Sequence, residues 1–309
     1  MTDAQPVSVA RAWFESLRPR TLPLAFISIV VGSVLAWWQH TFDPLVAALA
    51  LLTAGLLQIL SNLANDYGDA LKGSDKPGRI GPLRGMQKGL ISVPQMKVAL
   101  IITVTLTCLS GLALVLVACH TLSDLFGFLL LGVLAIIAAI TYTVGNKPYG
   151  YMGLGDISVL IFFGWLSVVG AWYLQTHQLA VSIFIPATAT GLLATAVLNI
   201  NNLRDLDSDR ENGKNTLAVR LGPYNARRYH VMLLIGALLC FALFNLFWLK
   251  QVWGWLFVLS APLLLRQCRY ILRETNPVAI RPMLEKTVKA ALLTNILFIA
   301  GIIISQWGG

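Results

Sequence analysis

Nine stretches of this chain are apolar for long enough, or nearly so, to cross a bilayer. They run Leu22 to Trp38, Leu45 to Leu63, Val98 to Cys119, Leu125 to Tyr142, Ile157 to Leu174, Val181 to Ile200, Val231 to Leu249, Val252 to Leu265 and Ala290 to Gln306. The pattern predicts an all-α polytopic membrane protein with nine transmembrane helices. Residues 1–21 form an N-terminal and interfacial segment, and residues 22–309 form one membrane domain. The eighth run is short and holds Pro262, and it lengthens only if Arg266 and Arg269 snorkel. Trp13 to Pro23 mixes aromatic, apolar and basic residues as an interfacial helix does, which places Arg18 and Arg20 among lipid headgroups. Met1 to Ala10 is polar, and no cleavable signal segment is expected ahead of the first run.

The polar positions are concentrated behind two of these runs. After the sixth comes Asn199-Ile-Asn-Asn202-Leu-Arg-Asp205-Leu-Asp207-Ser-Asp209-Arg-Glu211-Asn-Gly213-Lys214. On a continuous helix Asn202, Asp205 and Asp209 fall at i, i+3 and i+7, within one stripe. After the second run comes Asn62-Leu-Ala-Asn65-Asp66-Tyr67-Gly-Asp69-Ala-Leu-Lys72-Gly73, which aligns with the first at an offset of 140 positions. Asn62 matches Asn202, Asn65 matches Asp205, Asp69 matches Asp209 and Gly73 matches Gly213. Carboxylate and amide oxygens converging in this way suit a hard cation such as Mg2+, which is usually bound by a few carboxylates and the oxygens of a phosphorylated ligand. The competing reading makes each motif a solvated helix end with Asp and Asn as turn formers. The repetition favours the cation, because acids are scarce elsewhere in the chain.

Composition supports the membrane reading: the chain is 57% hydrophobic and 12% charged, with a mean hydropathy of +0.72. Charge placement then orients it. With nine spans and the N-terminus in the cytoplasm, 22 of the 23 basic residues fall on the inner face, leaving only Lys250 outside. The C-terminus is then periplasmic. Of the 14 acids only Asp43 and Asp124 fall outside. The basic balance is therefore one-sided, and it fits a cytoplasmic face that meets anionic lipid and anionic substrate rather than nucleic acid.

Each acidic stripe is followed by a basic loop: Lys72 through Lys76, Arg79 and Arg84 to Lys88 behind the first, Lys214 to Arg220 behind the second. Metal together with Lys and Arg can neutralise a diphosphate leaving group. Lys72, Arg84 and Lys214, close behind the motifs, are the candidates, and Lys147 in the tyrosine-rich loop Thr141 to Asp156 is a fourth. In that loop Tyr142 and Tyr149 can present an aromatic face to a carbocation or an aromatic substrate. Cys108, Cys119, Cys240 and Cys268 are scattered as small core residues, and no histidine has a partner that would make it a metal ligand.

Asn65-Asp66-Tyr67-Gly68-Asp69 and Asp205-Leu-Asp207-Ser-Asp209, at the inner ends of the second and sixth of nine helices, resemble the N-D-x-x-D and D-x-x-x-D motifs of the UbiA superfamily of intramembrane prenyltransferases. The similarity runs from about Trp13 to the C-terminus and includes Ser16 to Pro23, Gly81 to Gly85 and Asn199 to Leu221. It implies a ring of nine helices around a cavity open to the cytoplasm of a bacterial inner membrane. The implied reaction moves a long polyprenyl group, octaprenyl by this likeness, from its diphosphate to 1,4-dihydroxy-2-naphthoate, with loss of CO2 and diphosphate, in menaquinone synthesis. Mg2+ would be held by Asp66, Asp69, Asp205 and Asp209, assisted by Asn62, Asn65 and Asn202. Relatives whose first motif carries a third acid have it where this chain has Gly73, and Asp75 or Asp207 is left open as a further ligand. The alternatives are a 4-hydroxybenzoate or haem prenyltransferase of the same superfamily and, in another class, an ion transporter. Transporters place such acids near the midplane on broken helices, whereas these acids sit at one membrane face.

Overall fold

The computed structural model describes residues 8–19, 21–73 and 84–307. Arg20, Asp75, Lys76, Arg79 and Gly81 to Leu83, named above, lie outside the described residues. The described chain is helical throughout: α1 (Val9–Leu17), α2 (Leu22–Trp38), α3 (Pro44–Lys72), α4 (Val93–Ala118), α5 (Leu122–Thr141), α6 (Gly155–Thr176), α7 (Phe184–Arg204), α8 (Leu206–Glu211), α9 (Leu217–Phe244), α10 (Ala261–Arg273), α11 (Pro277–Ile280) and α12 (Met283–Trp307).

Among the described residues eight helices are long and apolar enough to cross a membrane, those carrying α2, α3, α4, α5, α6, α7, α9 and α12. The ninth expected span is also helical. A 3₁₀ segment of 8 residues, Trp253–Ser260, runs into the 13 residues of α10. Together they reach about 35 Å. Arg266, Arg269 and Arg273 lower the hydropathy of that stretch, so the count of nine does not follow from apolarity alone.

Helix starts follow local chemistry. Asp43 accepts from the backbone of Leu45 and Val46 at the head of α3, and Ser92 and Gln95 form a reciprocal capping box at the head of α4. At the other end α3 continues past its apolar run to Lys72 and stops at Gly73, whose φ of 63° is the left-handed conformation that glycine adopts without steric cost. Gly213 behind the second motif has the same handedness, with φ of 70°. The glycine shared by the two motifs thus holds the left-handed conformation in both.

α2, α6, α7, α9, α12 and the 253–273 helical stretch share one core, centred on buried Trp172, Phe241, Phe244, Phe257 and Phe298. Phe241 stacks on Phe298 with centroids 4.2 Å apart. The middle of α6, Leu160–Val169, is wound as a π-helix, and Ser167 Oγ satisfies the Phe162 carbonyl there at 2.6 Å. α5 is different in kind. Ala135 is its single buried residue, while Phe126, Leu130, Leu134 and Ile137 are exposed.

Candidate active site

Asp66 and Asp69 line one end of a cavity of about 1240 Å³, and of the second motif Asn201, Asn202 and Arg204 reach it. Its polar end is lined by Asn62, Asn65, Asp66, Asp69, Arg84, Asn202 and Lys214, and its apolar body extends past Phe162 to Leu174, near the far end of α6. One wall is α5, through Leu129, Gly132, Ala135 and Ile136. A polar rim on a long apolar chamber suits a ligand with a charged head and a hydrocarbon tail.

Helical spacing brings Asp66 and Asp69 to one face at the end of α3, both buried. Buried carboxylates require partners. Arg84 provides one, its Nη1 lying 2.6 Å from Asp69 Oδ2 and 3.3 Å from Asp66 Oδ1. Arg18 provides another, donating from Nη2 to Asp66 Oδ1 at 2.7 Å. The expectation that Arg18 lies among headgroups is therefore wrong. Its backbone is left-handed, φ 52°, at the turn between α1 and α2, and this aims the guanidinium back at α3. Asn62 fixes the same turn by donating to the Leu17 carbonyl at 2.9 Å, while its own oxygen accepts from Gln58. Asn65 Oδ1 accepts from the Thr143 hydroxyl at 3.0 Å. Both amides line the cavity and tie neighbouring segments to the motif.

The second motif does not form the continuous stripe expected from its spacing. α7 ends at Arg204, Asp205 leaves helical geometry (φ −96°, ψ 9°), and α8 begins at Leu206. Arg204 grips its neighbour with both arms, Nε to Oδ1 at 2.8 Å and Nη2 to Oδ2 at 2.5 Å, and also reaches Asn201 Oδ1. Adjacent side chains diverge on a straight helix, so this pair requires the bend. Asp209, Asn202 and Asp205 remain buried, and Lys214 stands 3.6 Å from Asp209. Asp207 is exposed, within 4.0 Å of Arg210.

Tyr151 links the two motifs. Its hydroxyl donates to Asp69 Oδ1 at 2.7 Å, its carbonyl accepts from the Asn215 backbone at 2.9 Å, and Lys214 lies 5.5 Å from its ring centroid. The loop carrying it is locked against α3, since a methyl group on Gly68 would stand 2.7 Å from the Thr143 carbonyl oxygen. Tyr142 and Tyr149 line the cavity edge to face, centroids 5.2 Å apart. Burial pushes both phenols up, and for Tyr142 the nearby Asp156 carboxylate adds to the effect. Both rings therefore stay neutral over the physiological range.

Two expected cations are not brought into the cavity wall. Lys147 is exposed beyond Gly145, while the chain turns back in at Tyr149. Lys72 is exposed and covers the Tyr151 ring at 4.4 Å. Arg18, Arg204, Tyr151 and Thr143 were not among the candidates from sequence. On the opposite face His120 and His177 meet with centroids 4.9 Å apart, and among the described residues no three His, Cys, Asp or Glu side chains form a metal cage.

Comparison with known proteins agrees with this architecture. Residues 25–304 match the UbiA prenyltransferase family. The chain is 74% identical over 99% of its length, and 99% of the relative's, to the 1,4-dihydroxy-2-naphthoate octaprenyltransferase of Escherichia coli (strain K12). It is 54% identical, over 95% of the chain and 96% of the relative, to the protein so described from Haemophilus influenzae. Among solved structures, that of a UbiA homolog from Archaeoglobus fulgidus bound to GPP and Mg2+ superposes with a TM-score of 0.66 at 16% identity, covering 95% of this chain and 99% of that one. On the match over most of its length and on relatives aligned end to end, the chain belongs to the UbiA prenyltransferase family.

Proposed function

We propose that this chain transfers a long polyprenyl group, octaprenyl by the relatives it matches end to end, from its diphosphate to 1,4-dihydroxy-2-naphthoate. The observation that carries the reading is the buried set Asp66, Asp69, Asp205 and Asp209, each beside a cation: Asp66 and Asp69 line the polar end of one long apolar cavity, and Asp205 and Asp209 sit behind its lining residues Arg204 and Lys214. The end-to-end relatives supply the acceptor.

The donor set fits Mg2+: all oxygens, mostly carboxylate, spread over two helix ends. A closed cage of three acids is not required, because Mg2+ is usually held by one or two carboxylates plus substrate phosphate. Asp66, Asp69, Asp205 and Asp209 would hold it, with Asn62, Asn65 and Asn202 beside them. When bound, the metal supplies charge neutralisation on the diphosphate. Arg84 and Lys214 line the same polar end and offset the remaining charge, with Arg18 joining them. The apolar chamber takes the prenyl chain and excludes water, so an allylic cation formed by loss of diphosphate meets the acceptor rather than solvent. Tyr142 and Tyr149, which line the chamber, are aromatic rings available to stabilise that cation.

The bonds balance without an added base. The allylic C–O bond breaks with its electrons going to diphosphate, the ring carbon bearing the carboxylate bonds to the allylic carbon, and the ring–carboxylate bond returns its electrons to the ring as CO2 leaves. Residues 22–309 are read as one domain of nine spans, the 253–273 stretch included, with the N-terminus and the acids cytoplasmic in a bacterial inner membrane. The test is an acceptor labelled in its carboxyl group. Label released in step with prenylated product supports the naphthoate reaction. Product that keeps its label, or turnover of 4-hydroxybenzoate in place of the naphthoate, refutes it.

A further inference from the structure

α10 ends on the same side of the molecule as the acids, since its Ile271 shares a buried cluster with Leu203 and Leu206 of the second motif. Its buried face is Leu264, Gln267, Cys268 and Ile271. On the opposite face Arg266, Arg269 and Arg273 stand at i, i+3 and i+7, all exposed, with Tyr270 between them. With Glu274 they line a shallow cleft of about 330 Å³ that is separate from the cavity. Among the described residues none of the three arginines forms an ion pair. Glu274 instead accepts from the Asn276 backbone through Oε1 at 2.8 Å, and its carbonyl accepts from Arg227 Nε at 2.9 Å.

The partial charge at a helix C-terminus amounts to about half an electron, which is too little for three guanidinium groups on one stripe. One turn back, the stripe becomes apolar with Pro262 and Leu263, and beyond it Leu259 is 68% exposed. A ligand matching this surface is an anion joined directly to hydrocarbon. We propose that the Arg266–Arg269–Arg273 cleft binds the headgroup phosphate of an anionic phospholipid, whose acyl chains lie along Leu263 and Leu259. The fixed guanidinium fork suits phosphate oxygens, and clustered basic side chains at a membrane face select anionic headgroups.

The test is native mass spectrometry of the full chain in mild detergent, titrated with phosphatidylglycerol, phosphatidylcholine or inorganic phosphate. The wild type should retain phosphatidylglycerol about a hundredfold more tightly than R266Q/R269Q/R273Q. Phosphatidylcholine should bind both alike and weakly. The triple variant should keep its prenyl transfer, because these residues do not line the cavity. If the triple variant fails to accumulate, Arg269→Gln alone should weaken phosphatidylglycerol about fivefold. Equal retention by variant and wild type overturns the proposal. So does displacement of the lipid by millimolar phosphate, or a dimer of the wild type that the substitutions abolish, which would assign the face to a second copy.

Discussion

Removing one oxygen atom, in Tyr151→Phe, tests whether the link between the two motifs serves the metal. The hydroxyl donates to Asp69 Oδ1 at 2.7 Å in a buried setting, while Arg84 engages Oδ2 at 2.6 Å. The two contacts together fix the plane of the carboxylate. Phenylalanine keeps the ring, and with it the contacts to Lys72 at 4.4 Å and Lys214 at 5.5 Å. Among the described residues the loss is one charge-assisted hydrogen bond, worth about 1.5–3 kcal/mol, or a factor of roughly 10 to 150. Partners that orient a ligand act mainly on metal affinity, by roughly 10–100-fold. Transfer of labelled prenyl group in membranes, measured against Mg2+ concentration, should show half-saturation shifted upward by that factor, with the rate recovering to within a few-fold at high Mg2+. An unchanged Mg2+ dependence, with the only defect a lower melting temperature, would refute the argument and leave Tyr151 a packing residue.

Asp66→Asn and Asp205→Asn should each abolish turnover while membrane levels by immunoblot stay similar, since Asn keeps the shape and removes the charge. A chelator should do the same to the wild type, and near-normal turnover in all three cases would reduce the acids to helix ends. For orientation, a reporter active only in the periplasm should be silent when fused after Arg84, Lys214 or Arg273 and active after Asp124 or His177. Activity after Lys214 would overturn the cytoplasmic placement of the acids.

Residue pattern reached furthest where a signal is local. Membrane-length apolar runs located eight of the nine expected spans, and the i, i+3, i+7 spacing of Asn62, Asn65 and Asp69 located a shared face, all three lining the cavity, because both depend only on helix geometry. Arg84 was legible as a basic residue soon after an acid. Arg18 was not, because a basic residue before a first span ordinarily faces headgroups, and what turns it inward is a left-handed residue and an amide, Asn62, far along the chain. The bend at Asp205 was hidden for the same kind of reason: the spacing fits a straight helix, and only the Arg204 grip shows that it is not one. Among neighbouring tyrosines, Tyr142, Tyr149 and Tyr151 are alike in sequence, and the turn between Gly150 and Gly153 decides which of them reaches Asp69.

α5 gives the cavity a boundary unlike its others. In hydrocarbon its outward Leu130, Leu134 and Ile137 gain nothing by packing on protein instead of lipid, so neighbouring helices hold it weakly. The lateral pressure of acyl chains presses this helix against the chamber that Leu129, Gly132 and Ile136 line from within. The bilayer is thus a structural wall of the reaction vessel. A detergent micelle replaces that wall with one of different curvature and pressure, so kinetic constants belong to the enzyme together with its solvent.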